Sequence, residues 1–457
     1  MTLHATRREN EHVKRALVIT SIALAVALVI FAAGALRPSP SVAPERTGTL
    51  AAQASTTLFA PQPSGDLGAT ISFLQARLEG TGEDARSLAL LGLAYLQMGT
   101  RNADPTYYDK AESALQRSLA LSERPNFEAS LGMGVLANAR HDFRAALRWG
   151  RNAIAANPHN AQARGVVGDA LIELGRYAQA TRAFQKMINL RPGLSAYARI
   201  SYARELHGDL DGSLDAMELA FNAAGLPADR AWVAHHLGEI YFNSGRLAPA
   251  EREYRGAVQL VPGYSPARAG LAKVAAARGN LSSAINKLEP VARNYPSPEI
   301  VILLGDLYNL DGRAAAADRQ YELVKAIQRL YRANGVNVDL ELALFDSDHG
   351  VDPQRALARA RAGYARRKNV HVADALGWAL YANGRYQEAR RHAQEALRLE
   401  TQNALFHFHA GMIELRLEHK RAARAHLTRA VNINPNFSFW HKERARQSLD
   451  LLIEATG

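Results

Sequence analysis

Small and large apolar residues recur along this 457-residue chain with helical spacing and a period of about 34 residues. Residues 168–192 contain Gly-Asp-Ala-Leu, then Gly-Arg-Tyr-Ala-Gln-Ala, a phenylalanine and a proline, and residues 238–262 repeat that order. Residues 377–389 repeat its first part, and Pro158 precedes Pro192 by 34 positions. Two helical patterns separated by a glycine, repeated at this length, predict stacked helix–turn–helix units.

Each class of residue in the unit has a structural reason. A glycine inside the first helix lets the second helix approach closely, and a glycine between the helices suits the left-handed backbone that ends a helix. A large residue fills the contact with the next unit, and a proline follows the second helix because it cannot continue one. The first-helix glycines are Gly168, Gly238, Gly305, Gly377 and Gly411. The glycines between helices are Gly175, Gly208, Gly245, Gly279, Gly312 and Gly384. The large contact residues are Phe184, Tyr254, Leu288, Tyr321 and Leu427.

These positions resemble the tetratricopeptide repeat (TPR) pattern, in register over most of the chain. The resemblance implies an all-α, right-handed superhelical solenoid of about nine or ten TPR-like repeats. We expect the solenoid to span residues 67–440 and a capping helix to lie in 441–457. The pattern is irregular at 325–368, where a second helix continues beyond its usual end and a degenerate repeat follows.

The N-terminal segment predicts a membrane anchor. Ala16–Leu36 has no charged residue, and a helix of that length spans about 30 Å at 1.5 Å per residue. Basic residues lie in the preceding tail, 1–15, which we therefore expect in the cytoplasm, with the repeats outside. Residues 37–66, rich in proline, serine and alanine, predict a disordered linker. The alternative is a signal peptide cleaved near Ala35, which would release a secreted protein.

The formal charge of +11 is concentrated in one part of the chain. Residues 353–446 contain 18 Lys and Arg against 7 Asp and Glu, so the rest of the chain is neutral. This excess suits an anionic lipid, an acidic peptide or a cell-wall polyanion, and the alternative is an ordinary solvated outer face. The complete absence of cysteine excludes disulfides and thiolate metal sites.

In TPR solenoids the first helices line a concave groove, so the resemblance implies groove positions just after each first-helix glycine and one turn away. This rule selects Asp169, Glu239, Phe242, Asp306, Asp374, Trp378, Tyr381, Phe408 and Met412. The set is acidic in its middle and aromatic near the C-terminus. Acidic side chains would repel the C-terminal carboxylate that chaperone-binding TPR domains clamp. Trp378, Tyr381 and Phe408 are the expected anchors for a peptide or amphipathic helix; the alternative for Trp378 and Phe408 is packing against neighbouring helices.

No motif for catalysis, a cofactor or a metal stands out. Seven of fifteen histidines lie in 371–441, but His407 and His409 are two residues apart and diverge around a helix. The acidic loop from Asp346 lacks the glycine at position six and the glutamate at position twelve of a helix–loop–helix calcium site. Asp352 followed by Pro353 instead predicts a helix N-terminus. We expect no enzyme activity, no cofactor and no metal.

The sequence thus predicts a non-enzymatic interaction scaffold, anchored in the membrane through Ala16–Leu36, that binds a protein or peptide partner in its groove. Two alternatives stay open. One is an accessory to a transport or metal-handling system whose histidine-rich repeats bind an ion; the other is a basic-surface binder of anionic lipid or cell-wall polymer. Nucleic acid is not expected as a partner, because an exported domain rarely meets it.

Overall fold

The computed structural model describes residues 67–81 and 84–454, and every regular element in those two ranges is helical. The predicted cytoplasmic tail, transmembrane helix and linker, all within 1–66, lie outside the described residues. Over the two described ranges, none of the helices combines the length and apolar character that crossing a bilayer requires.

An initial helix, ten antiparallel helix pairs and a final helix follow one another in the described ranges. The initial helix is α1 (Leu67–Thr81) and the final one is α22 (Lys442–Glu454). The first five pairs are α2 (Ala85–Asn102) and α3 (Thr106–Ala120), α4 (Phe127–Ala139) and α5 (Phe143–Ala156), α6 (Ala161–Glu173) and α7 (Tyr177–Leu190), α8 (Leu194–Leu206) and α9 (Leu210–Asn222), and α10 (Pro227–Asn243) and α11 (Leu247–Leu260). The last five are α12 (Ser265–Ala277) and α13 (Leu281–Asn294), α14 (Pro298–Leu310) and α15 (Ala314–Ala333), α16 (Asp339–Asp348) and α17 (Pro353–Arg366), α18 (Val370–Ala382) and α19 (Tyr386–Ala396), and α20 (Ala404–Arg416) and α21 (Lys420–Ile433).

The first-helix glycines allow the close helix contacts that the repeat pattern predicts. A methyl group added to Gly238 would lie 2.5 Å from the ring of Tyr254, and one added to Gly305 would lie 2.5 Å from the ring of Tyr321. The glycines between helices all have positive φ, as expected. Several first helices also begin at an asparagine whose side chain accepts a backbone N–H, which satisfies a free donor of the first turn. These N-caps are Asn126, Asn160, Asn369 and Asn403.

The irregular region has the form that the sequence predicts. Helix α15 is 20 residues long, and a shorter pair, α16 and α17, follows it. Asp352 caps α17, with its Oδ1 accepting from the backbone N–H of Arg355 at 2.9 Å.

The final helix packs with one narrow face. Leu452 is buried and Leu449 is partly buried, three residues earlier on the same side. Leu451 and Ile453, the other two large apolar residues at this end of the helix, are 67% and 46% exposed. Leu451 turns away because it is one residue from Leu452 and two from Leu449, and residues spaced in that way do not share a helix face.

Successive turns of the superhelix touch each other. Hydrogen bonds join residues separated by 192 to 196 positions at four levels of the solenoid. That separation corresponds to roughly six repeats of about 34 residues. In each case the turn inside one hairpin contacts a loop of the next superhelical turn, which precedes a first helix at three levels and α22 at the last. We call this line of contacts the inter-turn seam.

The seam is polar and buried at its centre. Arg367 donates to the Glu173 carboxylate at 2.6 Å, and both side chains are less than a tenth exposed. Asn369 donates to the same carboxylate at 3.0 Å, while the Tyr177 hydroxyl accepts the backbone N–H of Val370 at 2.9 Å. The other levels are formed by Arg140 with Asn334, His141 with Asn337, Thr401 with Leu206, and Asn434 with Phe242.

Candidate functional site: a cavity inside the superhelix

The first helices of six successive hairpins enclose a cavity of about 430 Å³. They are α10, α12, α14, α16, α18 and α20, and the loop before α22 completes the wall. This volume lies within the range of ligand pockets, about 300–1,000 Å³. We call it the central cavity. Its apolar lining includes Phe242, Tyr264, Tyr295, Leu303, Leu344, Leu405, Phe406, Phe437 and Phe439. Its charged lining and histidines include His235, Glu239, Lys273, Glu299, Asp306, Glu341, Asp348, His371 and Asp374.

Glu239 lies in the cavity wall but is already paired. Lys273 donates to both of its carboxylate oxygens at 2.7 Å, and the Tyr254 hydroxyl donates to one at 2.6 Å. Burial alone would raise the pKa of this carboxyl, but the Lys273 ammonium and these hydrogen bonds lower it to about 2. Phe242 lies beside the pair, with the Lys273 ammonium 4.6 Å from its ring centre. Glu239 is therefore ionised across the whole physiological pH range, and its negative charge is balanced by Lys273.

Asp306 and Asp374, also in the cavity wall, have basic partners from later elements. Asp306 accepts from the Tyr321 hydroxyl at 2.9 Å and lies 3.0 Å from Nε2 of His349. Burial opposes charge on His349, yet the hydrogen bond to Asp306 raises its pKa above the usual value. Nδ1 of His409 lies 2.9 Å from each carboxylate oxygen of Asp374.

Asp169 lies outside the cavity lining. It forms a buried bidentate pair with Arg199, at 2.8 and 2.7 Å, between α6 and α8. Each acidic residue predicted for the groove thus contacts a basic or histidine side chain from a later hairpin. Arg199 and Lys273 compensate the charges of Asp169 and Glu239, so these two residues would repel a partner's carboxylate less than the sequence alone suggests.

Trp378, Tyr381, Phe408 and Met412 all pack in the C-terminal core. Trp378 is 1% exposed, stacked between Tyr381 at 4.5 Å and His409 at 4.2 Å. Phe408 is fully buried, and Met412 is 4% exposed. The loop before α22 covers this end of the groove, and Arg444 donates to the Tyr381 hydroxyl. These side chains therefore present almost no surface to a partner, and Trp378 and Phe408 pack against neighbouring helices, which was the alternative for those two residues.

Several aromatic residues that line the cavity near its C-terminal end lie outside the positions predicted for the groove. Phe406 is two residues from Phe408 and so lies on the opposite side of α20. Phe437 and Phe439 come from the loop before α22, outside any first helix. In the sequence, the one indication that Phe437 and Phe439 make tertiary contacts is that they cluster with Trp440 in an otherwise polar segment.

Glu205 is a buried acid on α8, close enough to Glu239 for the two carboxyl groups to interact. Its burial makes the stability of the protein depend on pH. One of its oxygens has no hydrogen-bond partner among the described residues. Burial, and secondarily the Glu239 charge, raises the Glu205 pKa to about 8 from the ordinary 4.5. Because the folded pKa is the higher one, the free energy of unfolding falls as the pH rises from 4.5 to 8.

We expect Glu205→Gln to stabilise the protein at pH 8, by up to on the order of 4 kcal/mol, and to leave it nearly unchanged at pH 4.5. Urea denaturation at several pH values measures this difference. The exposed Glu218 on α9 supplies the control, since Glu218→Gln should preserve the wild-type pH profile. A Glu205→Gln protein with the wild-type pH profile would contradict the assignment.

TPR models match residues 137–201, 270–333 and 371–403. The chain is 24% identical over 338 residues to the tetratricopeptide repeat and J domain-containing co-chaperone DNJ1 of Fusarium oxysporum f. sp. lycopersici. That match covers 65% of each protein, slightly less than two thirds of the relative's length.

Solved structures similar to this one include a human IFIT1 dimer with PPP-AAAA and yeast Tom70. The IFIT1 match has a TM-score of 0.46 and 17% identity, and covers 73% of this chain and 78% of that one. The Tom70 match has a TM-score of 0.36 and 13% identity, and covers 90% and 88%. The matched segments lie within the second to fourth, the sixth and seventh, and the ninth helix pairs, and the chain carries tetratricopeptide repeats there.

Proposed function

We propose that this protein is a non-enzymatic interaction scaffold that captures an apolar segment of a protein partner in the central cavity. The observation that supports this most directly is the chemistry of the cavity wall, where aromatic and aliphatic side chains surround polar groups such as Glu239, which Lys273 already neutralises. An apolar side chain entering the cavity gains contact area without displacing this ion pair. The description of the Fusarium relative as a co-chaperone is consistent with a protein partner.

Membrane anchoring and an extracytoplasmic repeat domain are part of the same proposal. Their support is the uncharged run Ala16–Leu36 behind a basic N-terminal tail. The alternative, a secreted form cleaved near Ala35, predicts the same cavity without the anchor.

The absence of cysteine allows a direct test of where the partner binds. A full-length Leu303→Cys chain carries one thiol, beside the cavity, and a Leu323→Cys chain carries one on the outer surface of the same hairpin. Each is labelled with a thiol-reactive photocrosslinker and irradiated with the solubilised membrane fraction. We expect only the Leu303 position to crosslink one defined segment of one protein.

A synthetic peptide of the crosslinked segment then tests the mechanism. Leu303→Glu should weaken its binding at least about tenfold, since a buried charge without a partner is strongly unfavourable, while circular dichroism stays unchanged. Equal crosslinking from both positions would contradict capture in the cavity. Retention only on anionic lipid or cell-wall polymer, released by salt, would favour the basic-surface alternative instead.

A further inference from the structure

Three potential metal ligands from separate elements of the chain meet at the C-terminal end of the central cavity. Asp348 ends α16, His409 lies in the middle of α20, and His441 directly precedes α22. One ligand atom of each lies within 4.8 Å of the other two. His409 and His441 are 1% and 3% exposed, whereas Asp348 also faces the cavity. The site is therefore largely shielded from solvent but open on one side.

His409 is oriented as a metal-binding imidazole would be. Its Nδ1 lies against the Asp374 carboxylate, which acts as the acceptor and so holds the proton on that nitrogen. The opposite nitrogen, Nε2, then carries a lone pair, and it is buried with no hydrogen-bond partner in the described part of the chain. A carboxylate on the far nitrogen is the usual arrangement behind a metal-ligating histidine.

The other two ligands are held by the same aromatic cluster. Trp378 donates its indole N–H to Oδ1 of Asp348 at 2.7 Å and stacks on His409 at 4.2 Å. Nε2 of His441 lies 2.8 Å from the same Asp348 oxygen. Trp440 donates to the backbone carbonyl of Asp348 at 2.9 Å. The arrangement is thus pre-organised before any ion enters.

We propose that Asp348, His409 and His441 bind one divalent transition-metal ion, with Asp374 as the residue that positions His409. Two imidazoles and a carboxylate form a ligand set that suits zinc and its neighbours in the first transition row. Metal–ligand distances of about 2.0–2.2 Å place tetrahedral ligand atoms roughly 3.4 Å apart. Asp348 and His441 would separate slightly and His409 would move inward, with the fourth position facing the cavity.

A metal ion at these residues is contrary to the sequence-based expectation of no metal, and its binding does not require a captured peptide. Sequence spacing did not reveal the site because its ligands come from three separate elements. The bound ion would join α16 and α20 to the loop before α22. It would therefore stabilise the C-terminal end of the solenoid, because ligands that bind only the folded state raise its stability.

A second histidine pair provides a competing explanation for metal binding. Nδ1 of His407 lies 3.0 Å from Nδ1 of His426 between α20 and α21, and in the described part of the chain no carboxylate joins these two histidines in a ligand set. Substitutions can distinguish the His407–His426 pair from the proposed site, because His407 and His409 face opposite sides of α20.

The test uses the purified full-length protein, freed of metal and then titrated with Zn²⁺ and with Co²⁺. We expect one equivalent of Zn²⁺ at micromolar or tighter dissociation constant, a raised melting temperature, and a visible Co²⁺ spectrum of low-coordinate type. His409→Ala should weaken binding at least about 100-fold, and Asp374→Asn about 10–100-fold. His407→Gln should leave the affinity unchanged.

Asp348→Asn provides a further variant if His409→Ala does not fold, because Asp348 is at the cavity edge and an amide still accepts from Trp378. It should weaken Zn²⁺ binding and alter the Co²⁺ spectrum. No saturable binding by the folded wild type, or binding that His407→Gln removes and the site variants do not, would overturn the proposal.

Discussion

Gly175→Ala is expected to destabilise the protein by roughly 2–5 kcal/mol, far more than the same change at a similar turn elsewhere. Gly175 has φ +72°, a left-handed conformation that costs an alanine about 1–2 kcal/mol. A methyl group there would also overlap with the backbone carbonyl oxygen of Lys368, on the next superhelical turn. The alanine can fit only if the two turns move apart. Urea denaturation followed by circular dichroism measures the loss.

Gly384→Ala is the matched control for this prediction. Gly384 has the same φ of +72°, but a methyl group added to it would meet no other atom within 4 Å. We expect a loss of only about 1–2 kcal/mol for that variant. Hydrogen exchange adds a local measurement, because the Val370 N–H donates to Tyr177 across the seam and should exchange faster only in Gly175→Ala. Equal losses for the two variants would show that the turns do not press together in solution.

The inter-turn seam changes the energetics expected of a solenoid. Repeats that contact only their neighbours have stabilities that add up locally, so distant repeats unfold independently. Here the turn at Glu173 and the loop at Arg367 to Asn369 share a buried hydrogen-bond network although 194 residues separate them. Opening one level of the seam removes contacts from both superhelical turns, so repeats that are distant in sequence are coupled in their unfolding. The same closure forms the central cavity, since one full turn of first helices surrounds it.

Much of this fold could be predicted from the sequence, because the signals are local. The 34-residue period, the glycines of the turns and the capping aspartate Asp352 each depend on residues within one hairpin. The extended second helix, now α15, and the degenerate pair after it were recognisable for the same reason. Local rules describe each repeat but not the small rotation between repeats, which accumulates along the solenoid.

The site depended on that accumulated rotation, so the sequence predicted it only in part. Glu239, Phe242, Asp306 and Asp374 were placed in the groove and do line the cavity. Trp378 was placed there by the same rule but is covered by the elements around α22, which close over the groove. The asparagines that cap first helices are a sequence feature that can also mark the seam. Asn369 caps α18 with its side-chain oxygen and donates its amide N–H across the seam.

Arg367→Met is expected to cost about 3–5 kcal/mol, because it leaves the Glu173 carboxylate buried without its counter-ion. Burial already raises the Glu173 pKa in the presence of Arg367, so the folded variant should favour the protonated acid still more. The loss should therefore shrink as the pH falls toward the ordinary glutamate range. Chemical denaturation at pH 8 and pH 5 measures both the loss and its pH dependence.

The adjacent Arg366 provides the control. It pairs with Asp339 at the surface, where its side chain is 47% exposed, so Arg366→Met should cost no more than about 1 kcal/mol. A double variant, Glu173→Leu with Arg367→Met, removes both buried charges and should recover much of the loss. Similar costs for Arg366→Met and Arg367→Met, or no recovery in the double variant, would mean that the buried pair does not hold the two turns together. A selective loss at Arg367 would instead link the stability of the cavity wall to a contact about six repeats away along the chain.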